Sequence, residues 1–302
     1  DLAASEPAQA FDIDHVPTYH PPMSRAVMVF GAVQFLLLLQ GVAVFLWFAD
    51  RLPLAQAGVW VGALCAGLWA VGAVLQGRIS MTVALMIESA ALATATAALG
   101  HIELHRVFKP LTMVIAIVFV VGQQDPMRAG GRFSSENWLL AGALAASLAG
   151  DVFLMFPGFF IPGLVSFLVA HLLYIALFHR DAPWFPSRGA LVATLGVGGG
   201  MYAFLWMGGL PPALRLPVAA YVLVIALMAA QALGHAMVLR TPEAIGVAAG
   251  ASVFMLSDAT LATNRFVAPL PHAQFWVLAT YYAAQFLIVR HSVRSAQASG
   301  VE

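Results

Sequence analysis

Charge is what this chain has least of. Only 9% of its 302 residues are Asp, Glu, Lys or Arg, while 61% are hydrophobic. A soluble globular domain carries about 25% charged residues, so a soluble class is excluded. Acidic and basic residues cancel at 14 each, leaving no electrostatic footprint for nucleic acid. Cysteine is nearly absent: Cys65 stands alone in an apolar stretch, which rules out an internal disulfide. Lysine is as rare, with Lys109 alone beside thirteen arginines. That bias, in an Ala-, Gly- and Leu-rich background, points to a bacterial, high-GC source. Long polar stretches are missing too, apart from the proline-punctuated residues 1–23 (VPTYHPPM).

What remains is apolar sequence in lengths that cross a bilayer, which takes about 20 residues. Breaks at proline, glycine and charge predict helices at 27–49, 55–76, 80–100, 107–122, 137–156, 158–178, 189–209, 215–239, 243–263 and 273–292. The expected fold is all-α, a polytopic membrane helix bundle of about ten transmembrane helices with short connections. Arg25, Arg78, Arg128, Arg132, Arg180, Arg188, Arg240, Arg290 and Arg294 fall on one face. Arg51, Arg106, Lys109, Arg215 and Arg265 fall on the other. The positive-inside rule makes the first face cytoplasmic and puts both termini there, in a bacterial inner membrane.

Against this background two aspartates stand out, Asp151 in AGALAASLAGDVFLMF and Asp258 in GVAAGASVFMLSDATLAT. A charged side chain at membrane depth costs roughly 2.5–3.5 kcal/mol on insertion scales and marks a functional site by default. Both belong to helices running toward the same face, within four to five residues of the predicted exits. Lys109 is expected in the first turn of a helix starting there, and Tyr221 about one and a half turns into another. His171, Tyr174, Tyr282 and Gln285 are expected deeper. Together they describe a polar funnel opening on one leaflet. The two aspartates also echo each other: each follows Gly or Ser, precedes Leu by three positions, and is followed by a helix bearing Phe and Tyr (Phe167 and Tyr174; Phe275 and Tyr282). Four helices separate them, as a parallel repeat requires.

Plainer readings stand beside these. Either aspartate could cap a helix end, Lys109 could snorkel to the headgroups, and His171 could be a packing residue. Tyr281 and Tyr282 could be packing or belt residues, Tyr282 being the deeper. Glu88 reads as structural. His101 and His105 have metal-ligand spacing but no third histidine nearby, so no metal is expected. Gly142, Ala146 and Gly150 make a helix-packing surface. Gly198 to Gly200 follow no strand, which excludes a phosphate loop. Intramembrane carboxyls also serve proton-coupled transporters, and a non-catalytic ether-lipid binding module is a further alternative.

The motifs from about Thr82 to Arg290 resemble the YhhN-type lysoplasmalogenase family. They run in order: VFKPLTM with Lys109, LAGDVFL with Asp151, GLVSFLVAHLLYIALF with His171 and Tyr174. YVLVIALM follows with Tyr221, then GASVFMLSDATLATNRF with Ser257, Asp258 and Asn264, and YYAAQFLIVR with Tyr282 and Gln285. The resemblance implies an eight-helix membrane hydrolase over residues 80–293. Its substrates would be a lysophospholipid and water, met among membrane lipids: the vinyl ether bond of a lysoplasmalogen is cleaved to a fatty aldehyde and a glycerophospho-alcohol. It implies Asp151 and Asp258 as the catalytic pair. Lys109, His171, Tyr174, Tyr221, Ser257, Asn264, Tyr282 and Gln285 are then expected to bind substrate, with no metal or other cofactor. Vinyl ether hydrolysis needs a carboxylic acid to protonate the alkene and a carboxylate to steady the cation and activate water, and two neighbouring carboxyls can share the one proton.

Residues 1–79, a polar segment plus two helices, are loosely similar to the C-terminal tail of alkylglycerol monooxygenase-type proteins of the sterol desaturase superfamily. This implies an upstream di-iron oxygenase domain of the same polypeptide. Residues 294–302 are expected as a polar tail.

Overall fold

The computed structural model describes residues 54–123 and 135–298. Among the described residues nine helices follow one another: α1 (Leu54–Leu75), α2 (Met81–Ala98), α3 (Ile102–Val121), α4 (Ser135–Leu154), α5 (Phe160–His179), α6 (Arg188–Met207), α7 (Pro212–Leu239), α8 (Pro242–Phe266) and α9 (Ala273–Ala298). The span expected at 27–49 and Arg25, Arg51, Arg128 and Arg132 lie outside the described residues. So does the polar N-terminal stretch on which the upstream-domain expectation rests.

α1 to α8 are long and apolar enough to cross a membrane, and the chain is an integral membrane protein. α9 is more polar, carrying Gln274, Tyr281, Tyr282, Gln285 and Arg290, and it packs chiefly on α8 and α2 while Trp276 stays exposed. The bundle is a ring. α2, α3, α4 and α5 pack in sequence, α5 then meets α7, and α7, α8 and α9 close the ring by returning to α2. α1 is added outside against α2, and α6 rests chiefly on α7.

Helix starts come from local chemistry, since lipid leaves no water to satisfy free N–H groups. Ser80, Ser187 and Thr241 each accept from the backbone three residues on (Val83, Ala190 and Ala244, 3.2–3.3 Å). Pro212 and Pro242 open α7 and α8, where a missing N–H costs nothing. Gly100, at φ +76°, turns the chain from α2 into α3.

Three helix ends on the Asp258 face lie outward of the expected ones. α3 begins at Ile102, so Lys109 lies two turns in and not in the first turn. α7 begins at Pro212, putting Tyr221 two and a half turns in. α8 continues through Arg265, leaving Asp258 eight residues from its end. Lys109, Tyr221 and Asp258 thus lie about 10–13 Å in along their helix axes, whereas Asp151 stands three residues from the end of α4, which stops at Leu154 and not at the expected 156. Arg106 and Arg265, charges just outside the expected spans, lie within helices whose limits are set by glycine and backbone turns. At the other end of the chain, α9 runs past the expected boundary at 293 to Ala298.

Small residues let the helices approach. A Cβ on Gly150 would stand 2.6 Å from the Phe167 ring, and one on Gly163 would stand 2.7 Å from Leu154, so α4 and α5 cross at reciprocal notches. Gly250 sits as closely on Ile288 and the Ala284 carbonyl of α9. Gly198 lies within α6 against Val222 and Ala226 of α7. Gly150→Val is expected to destabilise the fold by about 1–3 kcal/mol through overpacking. Gly199→Ala, where a Cβ meets nothing within 4 Å, should leave it unchanged or slightly firmer; thermal unfolding in detergent separates the two.

Candidate active site

Asp151 is the most enclosed charge in the bundle at 1% exposure. Three helices converge on it. Lys109 of α3 brings its ammonium to 3.2 Å from Oδ1, and Tyr281 of α9 donates its hydroxyl to Oδ2 at 2.7 Å. The relay continues behind: Gln285 donates through Nε2 to the Tyr281 oxygen at 3.4 Å and accepts from the Tyr174 hydroxyl at 2.6 Å. Lys109, only 12% exposed along its side chain, does not snorkel to the headgroups; the buried carboxylate holds it.

Asp258 has a simpler setting. Its Oδ2 accepts the hydroxyl of Tyr221 from α7. Asp258 lines the same cavity as Asp151. An aromatic wall fixes both. Phe254, one turn before Asp258, is fully buried and meets His171, Tyr281 and Phe167 at ring distances of 4.9, 5.4 and 6.4 Å. His171 stands edge-on to Tyr221 at 5.3 Å and bonds through Nδ1 to the Phe167 carbonyl, while its Nε2 has no hydrogen-bond partner.

Both aspartates open onto one cavity of about 1240 Å³, lined by residues of α2 to α9 and mostly apolar. Ordinary small-molecule sites measure about 300–1,000 Å³, so this one is sized for a longer ligand. Its apolar limb runs along α7 from Val218 to Leu233, about 22 Å of helix. α6 forms the facing wall with Val197, Gly200, Met201 and Phe204.

The structure divides the expected site residues into three groups. Lys109, Asp151, Tyr221, Asp258, Ser257 and Asn264 line the cavity. His171, Tyr174, Tyr282 and Gln285 lie behind its wall. Two of the lining residues are already committed: Ser257 donates to the Val277 carbonyl at 2.9 Å, and Asn264 accepts from the Leu270 backbone at 2.9 Å, holding the turn after α8. The expectation for the tyrosine pair is reversed, because Tyr281 and not Tyr282 reaches Asp151 and the cavity. One residue along a helix is a 100° turn, and Tyr281 shares its stripe with Gln274, Val277, Leu278 and Gln285. That stripe was the available signal. Nor do the tyrosines suggested by the internal echo serve the carboxyls; their partners come from α9 and α7. His101 precedes the first residue of α3 and His105 lies in its first turn, bonded to the Ala93 carbonyl at 3.0 Å. Glu88 is partly buried on α2, away from the cavity.

Removing one partner of a buried ion pair strands the other. Lys109→Met is expected to cost about 3–5 kcal/mol of stability. Lys109→Met/Asp151→Asn should recover part of it, because an amide is cheaper to bury than an unpaired carboxylate. A double-mutant cycle by thermal unfolding checks this; a double-variant loss equal to the sum of the two single losses would show the pair to be energetically idle.

With this geometry in view, comparison with known proteins is specific. The YhhN family model matches residues 104–292. The human lysoplasmalogenase TMEM86B is 36% identical over 189 residues, covering 62% of this chain and 76% of the human protein. The rat TMEM86B is 40% identical over 161 residues (53% and 64%), and the human lysoplasmalogenase TMEM86A 33% over 160 (50% and 64%). The chain thus spans about three quarters of one relative and slightly under two thirds of the others. No solved structure gives a significant match.

Proposed function

This chain belongs to the YhhN family, and from that premise we propose that it is a membrane hydrolase cleaving the vinyl ether bond of lysoplasmalogens to a fatty aldehyde and a glycerophospho-alcohol. The observation that carries the reading is the placement of two carboxyls, each bonded to a tyrosine, on the wall of one apolar cavity long enough for a lipid chain. The names of the relatives point the same way.

The two settings suggest a division of labour. Asp151 faces an ammonium and a phenol, partners that suit a carboxylate. Asp258, whose hydrogen bond comes from a neutral phenol, is the better candidate for the proton. In this reading Asp258 protonates the distal alkene carbon of the vinyl ether. The electron pair of the double bond forms the new C–H bond, and the ether oxygen stabilises the resulting oxocarbenium ion. Asp151 steadies that cation, and water attacks it. The proton released by the water returns to the carboxyl pair, and the hemiacetal collapses to aldehyde and alcohol. Tyr221 and Tyr281 hold the carboxyls in place, and the Gln285–Tyr174 relay holds Tyr281.

The reading assigns the activity to α2–α9, residues 80–293. It takes both termini as cytoplasmic in a bacterial inner membrane, which the arginine distribution supports.

The direct test is aldehyde release by purified protein in detergent from lysoplasmenyl-ethanolamine and -choline, with the saturated alkyl-ether lysolipid as control. Aldehyde from the vinyl ethers alone is expected. Asp258→Asn should lower turnover by about 10²–10⁴-fold with the fold intact, and Asp151→Asn should lower it as much per folded molecule while also lowering the unfolding temperature, because it strands Lys109. Near-normal rates in either variant would remove that residue from the mechanism.

A further inference from the structure

Lysine and arginine are scarce on the face where the cavity opens. Of the four described there, Arg106, Lys109, Arg215 and Arg265, three line the cavity. Arg215 is the exception and stacks on Trp206 at 3.9 Å. Lys109, the natural candidate for a lipid phosphate, is spent on Asp151. That leaves two arginines on opposite walls, Arg106 from α3 and Arg265 from α8.

Both are braced by aromatics flanking one turn, the α4–α5 connection. Arg265 lies over the Phe160 ring at 4.2 Å, and Arg106 over Phe156 at 5.8 Å. Stacking fixes a guanidinium while leaving its edge donors free for an oxyanion. Among the described residues Arg265 makes no salt bridge. Arg106 pairs at 2.9 Å with Glu103, whose side chain is 86% exposed, and so exposed a pair yields readily. Their depth is matched to the carboxyls. Arg106 is one turn outward of Lys109, and Arg265 two turns, about 10 Å, outward of Asp258. A ligand with its ether carbon at the carboxyls would present a phosphate at the arginines after a glycerol's length.

We infer that Arg106 and Arg265 form a phosphate clamp at the cavity mouth that recognises the phosphodiester of a lysophospholipid headgroup. The inference rests on the lysolipid reading above and extends it: phosphate recognition is separated from the lysine and placed on the arginine pair.

The test measures binding, so that it does not depend on turnover. The ligands are a saturated alkyl-ether lysophosphoethanolamine, the alkylglycerol of the same chain without phosphate, and glycerol phosphate without a chain. The wild-type protein should prefer the phosphate-bearing lipid about tenfold or more, as charge-assisted bonds to arginine allow, with glycerol phosphate competing only weakly. Arg106→Gln/Arg265→Gln should bring the two lipids to near-equal affinity, Arg265→Lys should keep part of the preference, and Arg215→Gln should keep all of it. An unchanged preference in the double variant, or none in the wild type while both lipids bind, overturns the clamp but not the lysolipid reading. Glycerol phosphate binding as tightly as the lipid overturns the headgroup assignment in favour of a free phosphate ester. If folded protein binds neither lipid, the lysolipid reading fails and takes the clamp with it.

Discussion

The contact between Lys109 and Asp151 governs the rest of this bundle. A carboxylate enclosed to this degree is tolerated only where a counter-charge and hydrogen bonds meet it. Its partners come from three places in the chain: the lysine from α3, the carboxylate from α4 and the phenol from α9. Satisfying one charge therefore fixes the mutual rotation of three helices. The rotation of α9 in turn sets Gln285 against Tyr281 and Tyr174 against Gln285, extending the constraint to α5. Such pairs add little net stability over apolar packing, so their retention at a cavity wall is better understood as positioning.

The cavity follows from the same arrangement. The ring α2–α5 and α7–α9 closes without α6, which is left leaning on α7 with little contact to α8. Between α6 and α8 the ring wall is not packed tight, and the apolar limb of the cavity lies there. Val197, Phe204 and Leu256, which line it, are all exposed. In a bilayer such a flank meets lipid tails, so a single-chain lipid could reach the carboxyls from the side without passing its chain through water. Gly198 and Gly200 of α6 line it as well.

How much of this was legible in the chain depends on which physical signal each feature leaves. The all-α class and the helix positions were legible because apolar runs of bilayer length leave no alternative, and the two aspartates because charge is conspicuous in lipid. Depth was not. Arg106 and Arg265 looked like helix limits, yet long cationic side chains can extend along a helix that continues beneath them, and Arg265 does so over Phe160. The choice between Tyr281 and Tyr282 turned on the rotation of α9, which packing against α2, α4 and α8 decides and local composition barely records. Ser257 and Asn264 carried suitable chemistry at suitable positions, but each is taken by a backbone partner that only tertiary structure supplies. Sequence locates costly residues well; it does not show which of their neighbours are free.

That same distinction bears on the class of bond the cavity can cleave. Ester and amide hydrolysis by acyl transfer needs a hydroxyl or thiol nucleophile bonded to a base. Three serine and threonine hydroxyls line this cavity, at Thr194, Ser252 and Ser257, and each donates to a main-chain carbonyl: Leu191, Ala248 and Val277. Cys65 lies on α1, outside the ring. The reactive groups on the cavity wall are instead carboxyls flanked by phenols. Carboxyls can deliver a proton to carbon, stabilise a cation and receive a proton from water, which is the sequence of events a vinyl ether requires. A saturated ether offers no alkene to protonate, and its oxygen is a poor leaving group without far stronger acid. The described cavity wall therefore offers no free hydroxyl or thiol for an acyl-enzyme route, which leaves its carboxyl pair acting through water.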